Sequence, residues 1–366
     1  MGSKKVLVAG ASGLVGQAAL RHFAGLEGWE AVGVSRRPPV GIAGAKFVAV
    51  DLADKQACRT AFGEMRDVTH VVYAALYERP GLFQGWIEEE QIERNGRMLR
   101  NLFEPLLAVA DLEHVSLLHG TKAYGIHHPA IGPRGVRNPL REREPRAEHP
   151  NFYFVQEDYL RERQREGSWG LTVFRPTVIY GDAWGANMNP IPVIGAYAAL
   201  LRERGEPLHF PGRPGEPVLR EAVDADLVAS ALGWAATSTG ARDGTFNLTN
   251  GDVYLWSNVW PTIAKAMGME PGEHRPMRLA EELPGMQDEW AALVRRRSLR
   301  APEDLLEFVG ANSLVYTDML LAGATQPGTP VLNSTIAARK AGFHDCMDSE
   351  DMFRKWFTRL RAERVL

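Results

Sequence analysis

The sequence predicts an α/β fold, a doubly wound parallel sheet carrying a smaller, mainly helical C-terminal lobe. Three observations carry that expectation. The chain opens on a short apolar run closed by glycine, Val6-Leu7-Val8-Ala9-Gly10, and passes at once into a helical period. Short apolar runs then alternate with helix-length stretches as far as Tyr180, the order that builds parallel strands with helical crossovers. Beyond Gly181 the alternation gives way to helix-rich chain with many large apolar residues.

The opening run is short and β-branched, as a strand buried on both faces is. Leu14, Val15, Ala18, Ala19 and Phe23 then recur at three- and four-residue spacings, which makes one apolar helix face. Gly10, Gly13 and Gly16 stand where the backbone must turn, approach a pyrophosphate closely and let helix pack on strand. The helix start adds free N–H groups and a partial positive charge. Gly10, Ser12, Gly13, Leu14, Val15 and Gly16 are therefore candidate dinucleotide-binding residues. The strand before and the helix after favour this reading over an ordinary turn.

The second strand, Ala31 to Ser35, ends at Arg36-Arg37-Pro38. In this topology the end of that strand lies beside the adenosine ribose, where an acid selects NAD and an arginine accommodates the 2′-phosphate of NADP. The acid is missing. Ser35, Arg36 and Arg37 stand in its place as donors for charge-assisted bonds, so the expected cofactor is NADP(H). The third strand, Lys46 to Val50, stops at Asp51 and Leu52, placed to meet the adenine. The fourth, His70 to Tyr73, runs into Ala74-Ala75-Leu76, small enough at its start for close backbone approach.

A helix carrying Ile92, Asn95, Met98, Leu99 and Leu102 follows, then a strand from Glu113 to Gly120 ending in Thr121-Lys122-Ala123-Tyr124-Gly125. A polar loop, Ile126 to Pro150, leads to a helix beginning at Asn151. The strand Leu171 to Arg175 then runs into Pro176, Val178 and Ile179, expected against the nicotinamide. These elements make residues 1–182 the Rossmann-type NADP(H)-binding domain, with a return segment at about 218–250. Residues 183–217 and 251–366 make the substrate lobe. Trp256, Trp260, Met286, Trp290, Phe308, Tyr316, Met319 and Leu320 would be core for the most part and cleft wall for the rest.

Composition narrows the function. The chain has 366 residues, 45% hydrophobic and 24% charged, with a formal net charge of −3. That balance belongs to an ordinary globule, not to a general polyanion binder. The arginine-rich pieces Arg141 to Arg146, Arg161 to Arg165 and Arg295 to Arg300 alternate with acids or fall in helical stretches, so they are expected as solvated faces, with no nucleic-acid partner. Cys58 and Cys346 are the only cysteines, which excludes a disulfide framework and fits a reducing, cytoplasmic compartment. The most apolar stretch, Pro190 to Leu201, is too short to span a membrane. His119, His127 and His128 lack a carboxylate at ligand spacing, so no metal site is expected. A homodimer is the default assembly.

A nicotinamide enzyme of this type usually sets a lysine four residues after a tyrosine on one helix. Here Glu157 follows Tyr153 and His128 follows Tyr124. A lysine occurs instead in Gly120-Thr121-Lys122. With the loop Gly10 to Gly16, the Gly33 to Pro38 strand end, Asn151-Phe152-Tyr153-Phe154-Val155-Gln156-Glu157-Asp158, Arg175-Pro176 and Asn250-Gly251-Asp252-Val253, the chain resembles the progesterone 5β-reductase and iridoid synthase-like enone reductases. These are an atypical branch of the extended short-chain dehydrogenase/reductase superfamily. The resemblance implies that Tyr153 is the catalytic tyrosine and Lys122 its displaced lysine. Both would border the cofactor, and hydride would add to the β-carbon of a hydrophobic enone. The sequence departs from the family at Phe154, at His119 before the Gly-Thr-Lys turn, and at Ala74-Ala75-Leu76, where a more aromatic loop is usual. Two alternatives stay open. One is 1,2-reduction of a hydrophobic ketone or aldehyde, or the reverse alcohol oxidation, on the same residues; the other is a non-catalytic NADP(H)-sensing scaffold. Tyr124 is equally a second pocket donor or a packing residue.

Overall fold

A computed structural model describes residues 4–212, 218–322 and 330–366. Six strands enter the central sheet in chain order: β1 (Lys4–Ala9), β2 (Trp29–Ser35), β3 (Lys46–Ala49), β4 (His70–Tyr73), β5 (His114–Leu118) and β6 (Gly170–Pro176). A seventh, Thr245–Leu248, pairs with the outer side of β6. From that strand the order runs β6, β5, β4, β1, β2, β3, and every pairing is parallel. The order reverses at β1, whose Val6 faces Ala31 of β2 on one side and His70 of β4 on the other. A crevice opens at such a switch point, outside the C-terminal ends of the strands.

The two faces of β1 explain its continuous apolar run. Val6 and Val8 pack with Phe23 of helix α1 (Leu14–Ala24) and with Val228 of a later helix, whereas Leu7 and Ala9 pack on the opposite face. There α2 (Lys55–Phe62), α3 (Glu89–Leu107) and α4 (Phe152–Gln164) supply Phe62, Leu102, Phe103 and Leu160. Within the segment 218–250, whose Thr245–Leu248 joins the sheet, the stretch Glu221 to Thr237 opens on the two-residue strand Val223–Asp224. That strand pairs with Ile179–Tyr180 in a separate ladder. The rest is helix α6 (Ala225–Thr237), after α5 (Pro190–Glu203) in chain order, and it packs beside α1. Its buried residues, Ala225, Leu227, Val228, Ala229, Ala231, Leu232 and Ala235, leave little polar face to betray a helical period.

The remaining helices gather α5, α7 (Trp256–Ala266) and the helix Ser349–Ala362 around one apolar core. Trp290 stacks on Phe308 with ring centres 5.0 Å apart. The indole N–H groups of Trp256, Trp260 and Trp290 donate to the carbonyls of Leu320, Leu208 and Pro302, so these rings are core with satisfied polar edges. No helix among the described residues is long and apolar enough to cross a membrane.

The sheet interior carries a pH liability. His114 is buried and its Nε2 lies 2.9 Å from the Thr172 hydroxyl. Burial first, then the neighbouring His70, lowers its pKa from 6.5 to about 3. Between those values the unfolded chain binds a proton that the folded chain refuses, so stability falls as pH drops below 6.5 and is unaffected above it. The slope is about 1.4 kcal/mol per pH unit for one such group. Thermal unfolding between pH 7 and pH 5 should show this decline, and His114→Gln should make it shallower by the share of one such group, the other buried histidines keeping theirs; an unchanged slope would contradict the assignment.

Candidate active site

One large cavity, about 970 Å³, runs from the C-terminal edge of β1, β2 and β3 to the lobe. Among the residues expected to hold a dinucleotide, Gly10, Ser12, Gly13, Leu14 and Val15 line it. So do Ser35, Arg36, Arg37, Asp51, Leu52, Ala74, Ala75, Leu76, Pro176, Val178 and Ile179, and also Lys122 and Tyr153. Gly16 does not. It lies under the turn, where a Cβ would meet the Gly10 carbonyl oxygen at 2.0 Å. Gly10 has a φ of 84°, and its own Cβ would meet the Ala74 carbonyl oxygen at 2.7 Å. These two positions therefore exclude any side chain. Helix α1 begins at Gly13 without a side-chain cap, which leaves its first N–H groups facing the cavity for an anion.

At the end of β2 the Ser35 hydroxyl donates to the Arg37 carbonyl at 2.6 Å and so holds the turn rather than reaching outward. Arg36 and Arg37 are exposed on the cavity rim. Asp51 uses one oxygen to accept the Ala53 N–H. The glycine cradle, the uncapped helix start and this donor set fit a nicotinamide dinucleotide.

Tyr153 and Lys122 reach the same cavity from different elements joined by one side chain. Asn151 caps α4 by accepting the Tyr153 N–H at 3.0 Å, and its amide donates to the Lys122 carbonyl at 3.1 Å. The Tyr153 ring stacks on His119 at 4.6 Å. A Cβ at Gly120 would lie 3.1 Å from the Tyr153 hydroxyl, so glycine permits the phenol to sit at the strand end. Burial, with smaller contributions from Glu78 and Tyr316, pushes the Tyr153 pKa well above the ordinary tyrosine value. The group is a neutral hydroxyl at working pH. Burial likewise holds His119 well below the usual histidine range, which makes it a neutral plate behind the phenol.

Lys122 does not touch that hydroxyl. Its Nζ is buried with no hydrogen-bond partner, 3.8 Å from Glu78 Oε2 and 4.1 Å from the centre of the Trp86 ring. Burial lowers its pKa and Glu78 opposes the shift. The Glu78 side chain is fully buried, with Oε1 accepting from Gln91 at 2.8 Å. Gln91 also accepts the Arg79 N–H, and Asn95 holds both the N–H and the carbonyl of Tyr77. Two polar side chains on the inward face of α3 thus clamp the loop that sets a carboxylate beside the lysine. Glu78 and Trp86 were missed in the sequence, although Gln91 and Asn95 at i and i+4 among apolar neighbours were a signal that this face holds something polar.

The other motif residues have structural employment. Glu157 and Asp158 pair with Arg146 at 3.0 and 2.6 Å and anchor the loop before α4. The Tyr124 hydroxyl donates to Asn247 at 2.6 Å and its ring stacks under Arg175; it does not line the cavity and is a packing residue. Of the lobe aromatics and methionines singled out above, Tyr316 and Met319 reach the cavity, with Leu320 beside them.

The chain has known relatives. Residues 6–249 match the NAD dependent epimerase/dehydratase family. The chain belongs to that family. Within it, the chain is 31% identical over 376 residues to the 3-oxo-Delta(4,5)-steroid 5-beta-reductase of Arabidopsis thaliana, covering 98% of this chain and 92% of that protein. It is 30% identical, with the same coverage, to the (S)-8-oxocitronellyl enol synthase of Catharanthus roseus. It is therefore an oxidoreductase of the extended short-chain dehydrogenase/reductase type, in the branch that holds these two enzymes. The UDP-glucose 4-epimerase of Bifidobacterium longum, solved with NAD+ and UDP, shares the fold with a TM-score of 0.66 at 16% identity and 98% coverage of both chains.

Proposed function

We propose that the protein is an NADPH-dependent reductase of α,β-unsaturated carbonyl compounds acting by 1,4-addition. The observation that carries this reading is the placement of a neutral Tyr153 hydroxyl and the buried Lys122 amino group on one cavity with the glycine cradle. The names of the two relatives, a steroid 5β-reductase and an enol synthase, support it.

Gly10, Gly13 and the α1 start would hold the diphosphate, Arg36 and Arg37 the 2′-phosphate, and Pro176 to Ile179 the nicotinamide. Bound there, the reduced cofactor supplies a hydride. The chain's own part is to manage the charge that this creates. As the β-carbon gains hydride, the alkene electron pair moves onto the carbonyl oxygen. Tyr153 donates a hydrogen bond to that oxygen, and the positive charge of Lys122 raises the local potential and so stabilises the developing negative charge. The enolate is released from the pocket and its α-carbon takes a proton from solvent water, the carbonyl re-forms, and the product is a saturated ketone or aldehyde. Trp86, Tyr316 and Met319 exclude water around these groups. The same residues could serve 1,2-reduction. Turnover of a panel of enones with NADPH, followed by product identification, decides between them: saturated carbonyl products support the proposal, allylic alcohols contradict it.

Cofactor choice is tested separately. The double change Arg36→Ala and Arg37→Ala should raise KM for NADPH about ten-fold or more through lost charge-assisted bonds, while KM for NADH moves little. An equal effect on both cofactors would remove the arginine pair from 2′-phosphate recognition.

A further inference from the structure

The lobe end of the cavity contains a cation that its surroundings leave unanswered. Arg220 lines the cavity beside Tyr180, Tyr254 and Tyr316. Its backbone is fixed by a reciprocal pair of 2.9 Å hydrogen bonds with Tyr254, so the side chain springs from a rigid point. Its Nε is buried without a hydrogen-bond partner. Among the described residues no carboxylate forms an ion pair with it, and no backbone carbonyl accepts from it as carbonyls do from Arg202 and Arg361, whereas Arg204, Arg275, Arg296 and Arg359 each have a carboxylate. The neighbouring carboxylate, Glu221, is taken by the Asn333 backbone N–H at 3.0 Å and the Asn333 amide at 2.6 Å. Asp252 is likewise taken by Ser349.

A guanidinium drawn partly out of water into a wall of aromatic rings is costly unless an anion or acceptor meets it. When the described residues supply none and the group faces a ligand cavity, a ligand is a source of the missing acceptor. Arg220 lies in the part of the cavity where substrate, rather than dinucleotide phosphate, would sit. It is flanked by the lobe residues Tyr254 and Tyr316, and Tyr316 lines the same cavity as Tyr153, which joins it to the reacting end. A planar fork of N–H donors matches a carboxylate in bidentate fashion.

We infer that the substrate is an unsaturated carbonyl compound bearing a carboxylate, an oxo-acid whose acid end is anchored by Arg220 while its carbonyl lies at Tyr153. The inference rests on the reductase reading for its reacting end only. Its anchor is testable without turnover. Isothermal titration of the NADP+-loaded protein with octanoate and with 1-octanol measures the preference for a carboxylate on a matched apolar chain.

The expected result is that octanoate binds at least about ten-fold more tightly than octanol, the size of a charge-assisted bond of about 1.4 kcal/mol or more. In Arg220→Met the ratio falls to near one. Arg220→Lys retains part of the preference, which separates loss of the cation from damage to the lobe. Equal binding of the two ligands by the wild type, or a preference that survives in Arg220→Met, overturns the anchor. Failure of every enone to turn over would sink the reductase reading instead and leave the octanoate ratio standing as its own result.

Discussion

Tyr153→Phe is expected to lower kcat about a hundred- to a thousand-fold, the scale of losing one donor or proton-holding group aimed at a developing oxyanion, with NADPH affinity largely unchanged. The change is nearly isosteric. The Tyr153 ring remains stacked on His119 and its N–H remains on Asn151, so the α4 start and the wall of the cavity should persist. Only the hydroxyl beside Gly120 is lost. Because burial holds that group protonated, no loss of activity attributable to tyrosine ionisation should appear within the working pH range. Steady-state kinetics with an enone, beside a direct NADPH titration, check the prediction. A variant with wild-type kcat would show that the phenol is a packing residue.

Lys122→Met is the second change of large expected effect, also about a hundred-fold or more in kcat, and it comes with a pH signature. The active form of Lys122 is the ammonium. Burial lowers its pKa below the ordinary 10.5 and Glu78 pulls it back up. Activity should therefore fall as pH rises through a value below 10.5, because the cation is lost there. Glu78→Gln removes the cause that raises the pKa, so its alkaline limb should begin at lower pH than in the wild type. A Glu78 role confined to holding the loop through Gln91 would change stability without moving that limb. Coincident limbs in the two proteins would dissociate Glu78 from the lysine. Since Lys122 and Tyr153 share no hydrogen bond, their effects are expected through the substrate oxygen rather than through one another.

Much of the frame could be read from residues alone. Parallel strands covered on both faces must be apolar at successive positions, and Val6 to Ala9 shows that without ambiguity. Gly10 and Gly16 were legible because the turn demands a positive φ at the first and a clash with the Gly10 carbonyl bars a side chain at the second, both within the strand–turn–helix itself. Helix α6 was obscured by its burial, because a helix covered on nearly every side loses the polar stripe that marks its period. The lobe aromatics illustrate a different limit. Trp290 and Tyr316 are equally plausible walls by composition, yet one stacks inside the core and the other faces the cavity, a difference set by how helices far apart in sequence meet. The setting of Lys122 was hidden for the same reason. Its neighbours Glu78 and Trp86 come from a loop whose position is decided by Gln91 and Asn95 on α3, not by any spacing near the lysine.

The reaction itself is tested most directly by following the transferred hydrogen. With NADPH carrying deuterium on the transferred face of nicotinamide C4 and an enone as substrate, the account predicts a saturated ketone with deuterium at the former β-carbon and none at the carbonyl carbon, as seen by NMR. Deuterium on a carbinol carbon, with the double bond intact, would contradict it.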